Sequence, residues 1–197
     1  MAKFILIRHG EDDNTVRGGW SSSPLTENGI RQSKMLADKL VYKNIDIDKI
    51  YTSDLSRAYQ TAEVIAEKYH LQPIKSTELR EVNNGLLAGM KNEVADLKYP
   101  NLYWRYLEWE QQYPDGESPK EFYERIRNMW HKLSEEYATS NNNIAIITHG
   151  GVINIILSII TNEIYSNKNK QKSIPNASAI MLELKNKKWT TTNIECQ

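Results

Sequence analysis

The chain has 197 residues, 40% of them hydrophobic, and its 25 basic residues balance 25 acidic ones. That length can bury a sizeable core, so a single domain over residues 1–197 is expected, and the balanced charge gives no reason to look for nucleic acid or an anionic membrane as a partner. The one cysteine, Cys196, lies next to the C-terminal residue, which excludes an internal disulfide and fits a reducing compartment; with no signal-peptide pattern and no apolar run long enough to span a bilayer, a cytoplasmic location is expected.

The first element is the apolar run Phe4-Ile5-Leu6-Ile7, which ends abruptly in Arg8-His9-Gly10. Consecutive apolar residues suit a strand covered on both faces, and open α/β sheets place ligands just outside the carboxyl ends of such strands. Arginine offers a planar fork matched to phosphate or carboxylate, histidine can act as nucleophile or proton carrier, and glycine lets the backbone turn closely around both. Residues 11–23 are polar and read as an active-site loop. Thr26 is the expected cap of a helix to about Tyr42, with Ile30, Leu36, Ala37, Leu40 and Val41 inward. Residues 49–52 read as a second strand, followed by a helix from about Arg57 to Tyr69 that buries Ala58, Ala62, Ile65, Ala66 and Tyr69. A third strand falls at residues 73–76.

Residues 78–90 have no clean period and read as a functional loop. The Trp- and Tyr-rich stretch 91–113 is expected to form one or two short helices that pack over the sheet edge, in preference to touching substrate. Ser118-Pro119-Lys120-Glu121 is a capping box opening a helix with Phe122, Ile126, Met129, Leu133 and Tyr137 toward the core. His70 and His131 read as cap or surface residues without a role. A further strand, residues 144–148, delivers His149-Gly150-Gly151 into an apolar helix. In a chain with only four histidines, two strands that each end in His-Gly should meet in one pocket. Residues 179–184 and 189–194 read as final strands joined by a turn at 185–188. The alternation of strands and helices gives an α/β fold with a mostly parallel sheet.

Arg8-His9-Gly10, Thr148-His149-Gly150 and Ser53-Asp54-Leu55-Ser56-Arg57-Ala58-Tyr59-Gln60-Thr61-Ala62 between them resemble the histidine phosphatase superfamily, the phosphoglycerate mutase-like enzymes. Pro24-Leu25-Thr26, Leu79-Arg80-Glu81 and Asp115-Gly116-Glu117-Ser118 extend the resemblance over nearly the whole chain. It implies a three-layer sandwich, a mostly parallel central sheet flanked by helices. It also implies His9 as phosphoryl-accepting nucleophile, Arg8, Arg57 and His149 as phosphate clamp, and Glu81 as acid to the leaving oxygen. Asn14 carries over as a phosphate contact. Gly150 and Gly151 open a helix whose free N–H groups add another anion contact. Trp20 either stacks on a substrate ring or packs the loop down.

The chemistry asks for the same parts, because phosphoryl transfer is served mainly by positioning and by donors on the equatorial oxygens; losing one such donor typically costs about 10²–10³ in rate. His9 must be neutral to attack, which nearby cations favour, and its other nitrogen should donate to a carbonyl. Glu81 must start protonated. No cofactor and no metal are expected: a metal hydrolase built on His9, Glu11, Asp12, Asp13 and His149 is disfavoured by two arginines in the same pocket. Asp12 stands where the family commonly has Ser or Thr, and Asn83 and Asn84 where an acid often follows the catalytic glutamate. Residues 91–113 hold no arginine pair for a substrate carboxylate, so a phosphatase acting on a small phosphorylated metabolite is expected, with a mutase-type transferase or a silent phospho-ligand binder as alternatives and a homodimer left open. The run Glu11-Asp12-Asp13 beside the clamp predicts monophosphates over bisphosphates.

Overall fold

A computed structural model describes residues 2–185 and 188–194. The turn expected at 185–188 and Cys196 fall wholly or partly outside the described residues. The elements follow the chain as β1 (Lys3–Arg8), α1 (Glu27–Tyr42), β2 (Lys49–Ser53), α2 (Ser56–Tyr69), β3 (Ile74–Ser76), α3 (Asn92–Lys98), α4 (Pro119–Glu136), β4 (Asn143–Thr148), α5 (Gly150–Thr161), β5 (Ala179–Lys185) and β6 (Lys188–Ile194). Single 3₁₀ turns at Thr77–Leu79, Gly85–Leu87 and Trp104–Tyr106 interrupt the segment between β3 and α4.

The six strands form one sheet in the order β3-β2-β4-β1-β5-β6. The pairings β3–β2, β2–β4 and β4–β1 are parallel, and β1–β5 and β5–β6 are antiparallel, so the sheet is parallel through its centre and mixed at one side. Strand pleating explains the layers. Phe4, Leu6, Ile144 and Ile146 face α4 and α5, while Ile5, Ile7, Ala145 and Ile147 face α1 and α2. All eight are essentially buried, and truncating one of the larger ones to alanine costs about 2–5 kcal/mol.

Local chemistry fixes the helix ends. Thr26 caps α1 by accepting from Gly29 N, and Ser118 and Glu121 form the reciprocal capping box of α4. The inward face of α1 differs from the sequence expectation. Gly29, Ser33, Leu36, Ala37 and Leu40 are buried, whereas Ile30 and Val41 are 37% and 47% exposed. The reason is close backbone approach: a Cβ on Gly10 would lie 2.4 Å from the carbonyl oxygen of Gly29, so the helix turns its smallest residues under the loop that follows β1. His70 is the left-handed C-cap of α2, with φ 53°, and His131 is exposed on α4. Among the described residues no helix is long and apolar enough to cross a membrane.

Candidate active site

The parallel register of the two central strands pairs Arg8 with Thr148, which brings the next residue of each, His9 and His149, to the same level at their carboxyl ends. Their ring centroids are 5.0 Å apart, edge to face. His9 is 4% exposed. Its Nδ1 lies 2.7 Å from the Gly10 carbonyl and its Nε2 lies 3.3 Å from Arg57 Nε. A carbonyl only accepts and a guanidinium only donates, so Nδ1 carries the proton and Nε2 presents its lone pair. Burial, reinforced by Arg57 and Arg8, lowers the His9 pKa to about 3 against the opposing pull of the Gly10 carbonyl. The turn after His9 is pinned by Gly10 N–H donating to Thr61 Oγ1 at 3.0 Å.

Arg57, in the first turn of α2, is buried and held by the loop after β1: its Nη1 donates to the Ser21 carbonyl and hydroxyl at 3.2 and 3.3 Å, and its Nη2 to the Gly19 carbonyl at 2.7 Å. Arg8 donates from Nη1 to the Ile174 carbonyl at 2.5 Å, and its buried Nε has no partner among the described residues. His149 is fully buried, and burial together with Arg57, His9 and Arg8 holds its pKa well below the ordinary imidazole range. Its Nε2 lies 2.9 Å from Ser53 Oγ, which also accepts from Leu55 N–H at 3.3 Å. With the serine hydroxyl hydrogen directed at Nε2, the ring proton is assigned to Nδ1, which is buried and lacks a partner among the described residues. Unsatisfied buried donors of this kind ask for an acceptor.

Glu81 stands opposite. Its carboxylate accepts from Gly151 N–H at 3.0 Å and from Val82 N–H at 3.1 Å. The Gly151 amide is therefore committed to Glu81 and is not free for an anion, which corrects the expectation from sequence. Gly150 stays beside the arginine, where a Cβ would sit 3.8 Å from Arg8 Nε. The Glu81 segment is braced from α4: Arg125 donates to the carbonyls of Glu78, Arg80 and Glu81 at 2.8, 3.0 and 3.1 Å and pairs with Glu117 at 2.7 Å. Trp20 adds its indole N–H to the Glu81 carbonyl at 2.7 Å, and the Arg80 guanidinium covers its ring at 4.5 Å. Trp20 thus packs the loop down, the second of its two expected roles. Asn14 is not gathered into the cluster; it lies in an exposed stretch and its carbonyl accepts from Asn92.

The acidic run divides three ways. Glu11 accepts from Thr26 Oγ1 and Asn28 Nδ2 at 2.8 and 2.9 Å, and Asp13 accepts from Thr15 at 2.9 and 2.7 Å. Asp12 alone faces the clamp, with Oδ2 3.3 Å from Arg57 Nε.

A cavity of about 690 Å³ opens against Gly19 and Val82, the residue after Glu81, and its walls include Tyr103, Trp104 and Tyr113. Packing was the expected role of these aromatic residues ahead of substrate contact; Trp104 does pack on Phe122 and Tyr113, but it also lines the cavity. Arg17, Arg105 and Lys170 also line it, and among the described residues no carboxylate does. Arg17 is fixed by an ion pair with Asp96 and by the Tyr103 ring at 4.5 Å. Sequence reasoning did not assign roles to Ser21, Ser53, Arg125 or Arg17. Ser53 lay within a motif already singled out, whereas Arg125 carries little local signal because, apart from Glu117 eight residues away, its partners are backbone carbonyls more than forty residues away.

The sequence profile of the Histidine phosphatase superfamily (branch 1) matches residues 4–197. The chain is 32% identical over 154 residues to Phosphoserine phosphatase 1 of Hydrogenobacter thermophilus, covering 76% of this chain and 71% of that one. It is 30% identical over 195 residues to the probable phosphoglycerate mutase GpmB of Proteus mirabilis, covering 96% and 88%. The structure superposes on the alpha-ribazole phosphatase of Shigella flexneri with a TM-score of 0.83 over 97% of this chain and 95% of that one; at 24% identity the likeness speaks to the fold alone.

Proposed function

The chain belongs to the histidine phosphatase superfamily, and we propose that it is a metal-independent phosphomonoesterase working through a phosphohistidine on His9. The observation that carries this reading is the neutral His9 imidazole, its Nε2 lone pair presented beside the Arg57 guanidinium while Nδ1 is tied to a carbonyl. In this reading Nε2 attacks phosphorus, the P–N bond forms as the P–O bond to the leaving group breaks, and Glu81 passes a proton to the departing oxygen. The Glu81 carboxylate then takes a proton from the water that attacks the phosphohistidine, releasing inorganic phosphate and neutral His9. Arg8, Arg57 and the Nδ1–H of His149 meet the equatorial oxygens.

A mutase-type transferase stays the second reading, because Arg105, the single arginine of residues 91–113, is joined in the cavity by Arg17 and Lys170. In this reading the leaving group extends toward the cavity lined by Gly19 and Val82, the latter next to Glu81 in the chain. Its cationic, carboxylate-free lining suits small phosphorylated metabolites with an anionic group of their own, in keeping with relatives named for phosphoserine and phosphoglycerate. Rapid-quench labelling with a phosphorylated substrate in excess EDTA tests the route. Acid-labile, base-stable phosphoenzyme is expected in the wild type and none in His9→Ala. Turnover lost with EDTA points to a metal instead, and absence of any turnover to a binding protein.

A further inference from the structure

Asp12 is the one acid of its run that the loop turns inward, and its side chain is 19% exposed. Its backbone bridges to Leu25, whose N–H is held by Gln60 Oε1 at 2.7 Å, and its neighbours Glu11 and Asp13 are tied in opposite directions. The carboxylate therefore stands beside the Arg57 guanidinium, its Oδ2 3.3 Å from Nε as an ion pair, while the Nε–H itself donates to His9 Nε2 at 3.3 Å. A phosphoryl group positioned for attack by Nε2 must bring its oxygens to that guanidinium edge, where an anion already sits.

The charges around Asp12 fall short of balancing a phosphate dianion. The groups that face Asp12 are Arg57 from α2, Arg8 from the end of β1, and Asp13 from its own loop. The imidazoles of His9 and His149 are neutral and add nothing. With Glu81 carrying the proton it passes to the leaving oxygen and Asp13 tied to Thr15 in solvent, two guanidinium charges less the Asp12 carboxylate leave one positive charge at the clamp to meet the dianion, and one proton at Asp12 closes the difference.

We infer that Asp12 is a specificity-determining residue that admits the phosphoryl group together with one proton, shared between its carboxyl and a phosphate oxygen. The inference rests on the phosphatase reading of the site. Above the second ionisation of the ester, about pH 6, the proton comes from solvent; below it, the ester brings its own. It leaves with the released phosphate, so the carboxylate is restored at each turnover. Burial already raises the Asp12 carboxyl above the usual carboxylate range in spite of both arginines, and an incoming dianion pushes in the same direction. A neutral residue at this position carries no such requirement, and the presence of aspartate here makes the site favour phosphoesters under mildly acidic conditions.

The test separates binding from turnover. Calorimetry of inorganic phosphate binding, in two buffers of different ionisation heat at about pH 8, reads the protons taken up. The wild type is expected to take up about one proton more than Asp12→Asn and Asp12→Ser. In steady-state turnover of p-nitrophenyl phosphate, KM of the wild type should rise roughly tenfold per pH unit from about pH 7 to about pH 9, where the ester is already a dianion, and the two variants should rise much less. Equal proton uptake in wild type and variants, or parallel KM profiles, overturns the role of Asp12. A wild type that binds phosphate with the extra proton but turns over no phosphomonoester leaves Asp12 standing and defeats the phosphatase reading instead.

Discussion

His9 and Asp12 show how residue identity is converted to chemistry by burial. The histidine was legible in the sequence because a second strand also ends in His-Gly and the two must meet, and its Nδ1 bond to Gly10 is the carbonyl contact that attack by Nε2 requires. Which of three adjacent acids faces the site was not legible, since it depends on hydrogen bonds to Thr26, Asn28 and Thr15 that close only in the folded loop. The pKa of about 3 for His9 has a defined sign. Above pH 6.5 the imidazole is neutral in both folded and unfolded chains; between about 6.5 and about 3 only the unfolded chain binds the proton, so stability is lost as pH falls through that window. From pH 6.5 to pH 5 this one residue removes about 2 kcal/mol, and His149 acts in the same direction. Urea unfolding of wild type and His9→Gln at about pH 7 and about pH 5 should therefore show the wild type losing about 2 kcal/mol more than the variant as pH falls. The same shift means that kcat/KM for p-nitrophenyl phosphate has no acid limb at an ordinary imidazole pKa. A limb near pH 6.5 lost in no other variant would count against a buried neutral nucleophile.

At the scale of elements, the strand ends and the capped helices were readable because their causes are local: four apolar residues before Arg8 and His9, a capping box before α4, a threonine cap before α1. The aromatic stretch was half read, because Trp104 both packs and lines a cavity, and a sequence carries no mark of the second. The coupling of α5 to Glu81 was hidden in a glycine. A Cβ on Gly151 would lie 2.4 Å from Glu81 Oε1 and 3.1 Å from its Cδ, so the helix can hold the acid through its first-turn amide only if this residue has no side chain. Gly151→Ala is expected to displace Glu81 while leaving the clamp in place. Turnover of an alkyl phosphate should fall by about 10²-fold or more, and that of p-nitrophenyl phosphate, whose leaving group departs unaided, by much less. Glu81→Gln should show the same pattern, and equal loss on both substrates in both variants would remove Glu81 from the acid role.

For the whole molecule, the clamp draws its parts from far apart in the chain: Arg8 and His9 lie at the end of β1, Arg57 opens α2, and His149 follows β4. The sheet places them together through the β1–β4 register, and helices on both faces hold that register by burying alternate residues of the same strands. Net charge is zero, so the attraction for an anion is local, and at the clamp Arg8 Nε and His149 Nδ1 are buried without partners among the described residues. A phosphate bound there contacts segments that separate on unfolding, and it therefore stabilises the folded chain as a whole. At a hundredfold excess over its dissociation constant the gain is about 2.7 kcal/mol, or roughly 5–10 °C in Tm for a chain of this size. Arg57→Met removes the guanidinium that donates to His9 and pairs with Asp12 and should abolish most of the shift, whereas a substitution of exposed Lys132 on α4 should leave it intact. Differential scanning calorimetry with and without phosphate measures both; a shift undiminished in Arg57→Met would mean that phosphate binds elsewhere and that this clamp is not where the protein recognises its substrate.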